Sequence, residues 1–194
     1  TVKVPVYVNS AADNNTPTAV KDPVKTNENT PLTDGQAQDA IANKSALPDG
    51  TTYTWSKQPD TTKPGDTTGE VTVHYKDGSS DTVKVPVYVN SAADNNTPTV
   101  PDKTKVDNPT SLTADEKKTI EDKIVEANKD KFPEGTDVTV DNDGKATITY
   151  PDKSLDTIPG KKLVEEKSDA AKNELKVPSD RVKVDDPKSE AKRS

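Results

Sequence analysis

The chain has 194 residues, of which 28% are hydrophobic and 4% aromatic, so any cores are small and two or three thin modules are expected in place of one large domain. A formal net charge of -7, with no basic cluster to displace phosphate counterions, excludes a nucleic-acid or anionic-membrane surface. Cysteine and methionine are absent, which removes disulfides and thiol chemistry; no stretch approaches ~20 apolar residues and no leader opens the chain, so neither membrane insertion nor a signal peptide is expected in this segment.

In chain order, the first feature is a repeat. Residues 1–18, TVKVPVYVNSAADNNTPT, recur without a change as residues 82–99. A period of about 80 residues is the size of a small domain and not of a solenoid turn. Residues 1–18 are therefore expected to be the terminal strand and linker of a preceding repeat, loose unless that strand pairs with a sheet edge. The stretches 9–22 and 90–103, rich in Asn, Asp, Ala, Thr and Pro, read as fairly extended linkers.

Within residues 19–99, Thr33 followed by Gln36 forms a capping box, which predicts a short helix from Asp34 to Asn43. Pro48-Asp49-Gly50 then supplies a turn before a strand. Val71, Val73 and Tyr75, then Val83, Val85, Val87 and Val89, alternate with polar residues around Lys76-Asp77-Gly78-Ser79, which predicts a hairpin with one buried face. Pro86 would remove a ladder hydrogen bond, which places its strand at a sheet edge or a bulge. Leu47, Tyr53, Trp55, Val73 and Tyr75 are the expected core.

Residues 100–165 repeat these blocks in divergent form. Leu112-Thr113 answers Leu32-Thr33, Phe132-Pro133-Glu134-Gly135 answers Leu47-Pro48-Asp49-Gly50, and residues 144–158 match residues 69–83. Thr113 and Glu116 cap a second helix, with Ile120, Ile124 and Ala127 as its narrow apolar stripe. Residues 166–194 form a charged tail in which residues 183–189 echo residues 105–111, as though a further repeat begins there. The expected fold is mainly β: small Ig-like β-sandwich modules with a short helix, the second an α+β variant of the same plan.

The segment YKDGSSDTVKVPVYV, closing a repeat copied without change, is similar to the Rib/alpha-like surface-antigen repeat. TYPDKSLDTIP, with LTADEKKTIEDKI and DNDGKATI, looks like a diverged and more helical relative. In that half Lys153 replaces the glycine of the D-G-S turn and the long VKVPVYV strand is missing. The resemblance implies an Ig-like β fold, an extracellular parent anchored to the cell wall of a Gram-positive bacterium, and a repeat region acting as a stalk of variable copy number. It implies no catalytic residues.

Catalytic, cofactor and metal residues are accordingly expected to be none, and no enzyme activity is expected. His74, the single histidine, falls between inward Val73 and Tyr75 and is expected to face solvent, without a second soft ligand for a metal. Asp141-Asn142-Asp143-Gly144 opens like a calcium loop, but the later glycine and bidentate glutamate do not follow, so it reads as a hairpin turn. The pairs Asp77/Asp81 and Asp152/Asp156 lack pocket chemistry, and Ser79, Ser80 and Ser154 lack a histidine base. A Lys–Asn or Lys–Asp isopeptide crosslink could in principle form, which an intact-mass loss of one ammonia or one water would support, but it is not the expected reading. The partners expected are neighbouring repeats of the same chain, itself a monomer. The alternative is a low-affinity adhesive repeat binding a host glycan or matrix protein through the outward tyrosines Tyr7 and Tyr88, with avidity from copy number.

Overall fold

The computed structural model describes residues 1–173. The expected echo at residues 183–189 lies outside the described residues.

Residues 1–9 form no regular structure, and Val4, Val6 and Val8 are 73%, 82% and 83% exposed. The same residues in the identical copy, Val85, Val87 and Val89, are 0%, 1% and 0% exposed. Local preference is the same in both, so pairing with neighbouring strands is what makes this sequence a strand.

After helix α1 (Ala11–Asn14), the first module builds β1 (Val24–Asn27), α2 (Asp34–Asp39), β2 (Thr52–Lys57), β3 (Gly65–His74) and β4 (Ser80–Asn90). These make one four-stranded sheet in the order β1-β4-β3-β2. The predicted hairpin is β3–β4, in register from Gly65 opposite Val89 to His74 opposite Ser80. The capping box of α2 forms as read, Gln36 N–H donating to Thr33 Oγ1 and Thr33 N–H to Gln36 Oε1. The helix ends earlier than expected, at Asp39.

One face of the sheet buries Val71, Val73, Tyr75, Val85 and Val87 against Leu32, Ala37, Ala40, Ile41 and Leu47. The mainly β, Ig-like plan holds, with a thin second layer: α2 and the bridge pairing Ala19 with Ile41. Of the five expected core residues, Leu47, Tyr53, Val73 and Tyr75 are buried. Trp55 packs against the core only in part, because its indole N–H reaches out to donate to Thr33 O at 2.9 Å.

Pro86 does not lie on a simple edge strand. β4 is flanked by β3 along its whole length, but β1 joins its other side only from Val87 onward, where Val24 pairs with Val87 in parallel register. Up to Pro86 that side of β4 has no partner strand, so the missing N–H need not break a ladder there.

The second module follows α3 (Ala92–Asn95) with β5 (Thr104–Val106), α4 (Ala114–Ala127), β6 (Asp137–Val140), β7 (Ala146–Thr149), β8 (Leu155–Ile158), β9 (Val164–Glu166) and α5 (Asp169–Lys172). Sheet β6-β7-β8 and the parallel pair β5-β9 share a core with Ile120 and Ile124 of α4. The long terminal strand missing from the sequence comparison is present in two pieces. β8 pairs with β7 as the first half of β4 pairs with β3, and β9 pairs in parallel with β5 as the second half of β4 pairs with β1. Pro159 and a 3-10 turn, Gly160–Lys162, break it between them.

The apolar stripe of α4 needs one correction. Ala127 is exposed, and the buried position after Ile120 and Ile124 is Asn128, 1% exposed. The i, i+4, i+8 spacing keeps it on the same face.

Candidate functional site at the module junction

The stretches read as extended linkers are instead folded, and each seats on the module that follows it. Ser10 caps α1 and Ser91 caps α3, each in a reciprocal capping box with Asp13 or Asp94. The first amides of such a turn have no partner within the helix. Here they find side chains of the next hairpin: Ala11 N–H donates to Asp77 Oδ2 at 2.6 Å and Ala12 N–H to Ser79 Oγ at 3.1 Å. At the second junction, Ala92 N–H donates to Asp152 Oδ2 at 2.6 Å and Ala93 N–H to Ser154 Oγ at 3.0 Å. The alanine side chains pack on the two cores, Ala11 and Ala12 on the first, Ala92 and Ala93 on the second.

Both aspartates are held below the ordinary carboxylate range. For Asp77 the Ser79 hydroxyl contributes most, then the Ala11 and Ser79 amides. For Asp152 burial opposes ionisation, and the Ala92 amide together with the Ser154 hydroxyl and amide outweigh it. A charged acceptor strengthens each of these hydrogen bonds.

A second anchor lies at the end of each folded stretch. Asn43 accepts from Thr18 N–H at 2.9 Å and donates to Thr16 O at 2.9 Å. Asn128 accepts from Thr99 N–H at 2.7 Å and donates to Thr99 O at 2.9 Å and to Ile124 O at 2.8 Å. Sequence reasoning passed over both asparagines. The signal that could have found them is the shared Ala-Asn-Lys, 42–44 and 127–129, ahead of the matching Pro-x-Gly turns.

The remaining side of the junction is Tyr88. Expected to face outward, it is half-buried and its hydroxyl donates to Asp94 Oδ2 at 3.0 Å, tying β4 to α3. Tyr7 makes the same bond to Asp13 at 2.8 Å while remaining 77% exposed.

The other residues weighed from sequence are placed as follows. His74 is exposed on β3 beside Thr54 Oγ1 at 2.9 Å. Asp141-Asn142-Asp143-Gly144 is the β6–β7 hairpin turn, with Asp141 N–H donating to Lys145 O. The paired acids serve separate partners: Asp81 accepts from Tyr75 and Asp156 from Tyr150, both at 2.8 Å, while Asp77 and Asp152 hold the junction. Ser79 and Ser154 donate to Asp77 and Asp152 at 2.6 Å, and Ser80 is exposed at the start of β4. Among the described residues every lysine reaches solvent and the buried polar side chains are Thr26 and Asn128, so no buried lysine–acid pair of the kind an isopeptide crosslink needs is assembled. Among them, too, no cluster of acidic or histidine ligands could hold a metal, and no helix is long and apolar enough to cross a membrane.

Burial, followed by the bond to Asp81, pushes the Tyr75 hydroxyl up to about 12; burial and Asp156 push Tyr150 up further. A raised folded value means that the stability linked to protonated Tyr75 is complete below about pH 10 and lost as pH rises toward about 12. Urea denaturation is expected to show about 2 kcal/mol lost from the first module across that window. In Tyr75→Phe most of that fall should disappear; an unchanged alkaline fall would show that Tyr75 is not its source.

Two domain-family profiles match the chain: the Rib domain over residues 11–91 and the Atypical Rib domain over residues 96–167. The chain is 33% identical over 149 residues to the C protein alpha-antigen of Streptococcus agalactiae, a match covering 68% of this chain and 13% of the antigen's length. A solved Rib structure from Streptococcus pyogenes is 38% identical, covers 40% of this chain and 95% of its own, and superposes with a TM-score of 0.35. The sialic acid binding region of a Streptococcus sanguinis adhesin is 29% identical over 53% of this chain and 28% of its own, with a TM-score of 0.45.

Proposed function

We propose, from the premise that this chain belongs to the Rib/alpha-like surface-antigen repeat family, that it is a piece of a structural stalk that projects a functional domain away from a bacterial surface. The observation that carries this reading is the junction. β4, 11 residues long, leaves the first module through Asn90 and passes at Ser91 into α3, which is seated on the second module. At ~3.3 Å per residue such a strand spans roughly 35 Å, so each repeat adds a defined step and copy number sets reach. The parent is read as extracellular, anchored to the cell wall of a Gram-positive bacterium, with neighbouring repeats of the same chain as its partners and no oligomer required.

We draw the unit boundaries ahead of the capping serines Ser10 and Ser91, so that the folded stretch belongs to the module it seats on. The Rib match beginning at residue 11 supports this division.

Scattering from chains of one, two and three modules tests the stalk. The maximum dimension is expected to grow almost linearly, by about 35 Å per module. Compact particles of equal mass would sink it. The adhesive alternative depended on free tyrosines, and Tyr88 is engaged by Asp94. Glycan or matrix-protein binding by a single module, lost in Tyr88→Ala, would nonetheless reverse the ranking.

A further inference from the structure

The two junctions are the same interface built on two different domain types. The donor side is identical in sequence, residues 10–18 and 91–99. On the acceptor side, the turns Asp77-Gly78-Ser79 and Asp152-Lys153-Ser154 differ at the centre, yet they fold alike. Tyr75 N–H donates to Ser79 O at 2.9 Å and Tyr150 N–H to Ser154 O at 3.0 Å. The central residues sit at φ +85° for Gly78 and +72° for Lys153, so Lys153 accepts the left-handed backbone that glycine adopts without a Cβ penalty. The carboxylates meet the alanine amides at 2.6 Å in both, and the serines at 3.1 and 3.0 Å. Asn43 and Asn128 then hold the far end of each donor stretch.

We propose that the Asp-x-Ser turn together with this asparagine is a general receptor for the S-A-A-D-N-N-T-P-T connector, so that either a Rib or an atypical Rib module can follow a Rib module through one interface. The receptor reads backbone amides with two small side chains and the asparagine; the second module adds Lys131, which donates to Thr99 Oγ1 at 2.7 Å and stands where the first has Ala46. Its partner is the connector of the Rib module that comes before it in the same chain. The inference does not depend on the stalk reading, since a receptor of this kind could serve any tandem array.

Amide hydrogen exchange on the full chain provides the test, because Ala11, Ala12, Ala92 and Ala93 have no helical acceptor and are protected only when docked. Asp152→Ala is expected to lower protection of Ala92 and Ala93 by about tenfold or more while Ala11 and Ala12 are unaffected, and Asp77→Ala to do the reverse. Ile148, inside β7, reports whether the second module stays folded. Should Asp152→Ala unfold it, Ser154→Ala leaves the carboxylate in place and is expected to expose Ala93 alone. Gly78→Lys gives the first turn the sequence of the second and should leave Ala11 and Ala12 protected within about threefold. Protection of Ala92 and Ala93 that survives the loss of their acceptors in a folded chain overturns the receptor. Loss of protection at Ala11 and Ala12 in Gly78→Lys, with Val73 and Val85 amides still protected, overturns its generality.

Discussion

Asn128→Ala is expected to destabilise the second module by about 3 kcal/mol, a large share of what so small a core supplies. The side chain is 1% exposed and makes three hydrogen bonds, two to Thr99 and one back to Ile124 O. Alanine would leave the Ile124 carbonyl without its side-chain partner in a buried site and the Thr99 amide and carbonyl without theirs in a part-buried one, each unsatisfied group costing about 1–3 kcal/mol less whatever water can recover. Asn43 is the internal control. It holds Thr16 and Thr18 with two bonds from a half-buried position, so water replaces it more readily and Asn43→Ala should cost about 1 kcal/mol. Urea midpoints of the two modules, followed by probes in each, measure both. Equal losses would mean that burial does not set the difference.

Gly160→Ala should be at least as damaging, by about 3 kcal/mol or more. Gly160 is buried at the start of the turn that splits β8 from β9. A Cβ there would lie 2.1 Å from Asp143 O and 3.0 Å from the Gly144 carbonyl carbon. Both contacts are backbone atoms of the β6–β7 turn, so no side chain can swing aside to relieve them. Gly35→Ala is the matched comparison: its Cβ would meet only Thr33 Oγ1, at 3.7 Å, inside α2. Better helix propensity should make that change neutral or stabilising by up to about 1 kcal/mol. Thermal unfolding of both variants tests the contrast, and a mild Gly160→Ala would show that the turn can move away from β6–β7.

What was legible in the sequence was whatever is fixed locally. The capping boxes at Thr33 and Thr113, the β3–β4 hairpin and the turn at Asp141 each follow from a few neighbouring residues, and each formed as read. The junction was not legible, because the acceptors of α1 and α3 lie sixty or more residues further along the chain. An alanine-rich stretch with Asn and Pro looks like a linker until the hairpin it seats on is in view. Ala127 and Asn128 failed for a different reason. Apolar periodicity assigns the buried face by residue type, while here a buried amide satisfies main-chain groups that a hydrocarbon would orphan. The clearest limit is the repeat itself, since Val4, Val6 and Val8 lie exposed where Val85, Val87 and Val89 are buried. No reading of an eight-residue window can separate those two outcomes.

The parallel pairing of each module's first strand with its last decides how the chain answers a pull on its ends. Tension draws β1 by its beginning and β4 by its end, and because they run side by side in the same direction the two must slide lengthwise past each other. Bonds between Val24–Asn27 and Val87–Asn90 are then loaded together in shear, and cannot open one at a time as they would in a hairpin peeled from its tip. β5 and β9 repeat this arrangement over a shorter run, Thr104–Val106 beside Val164–Glu166. Under rising load the atypical module, with the shorter parallel run, is expected to give way first, so that single-molecule pulling of the chain should show its rupture before that of the Rib module.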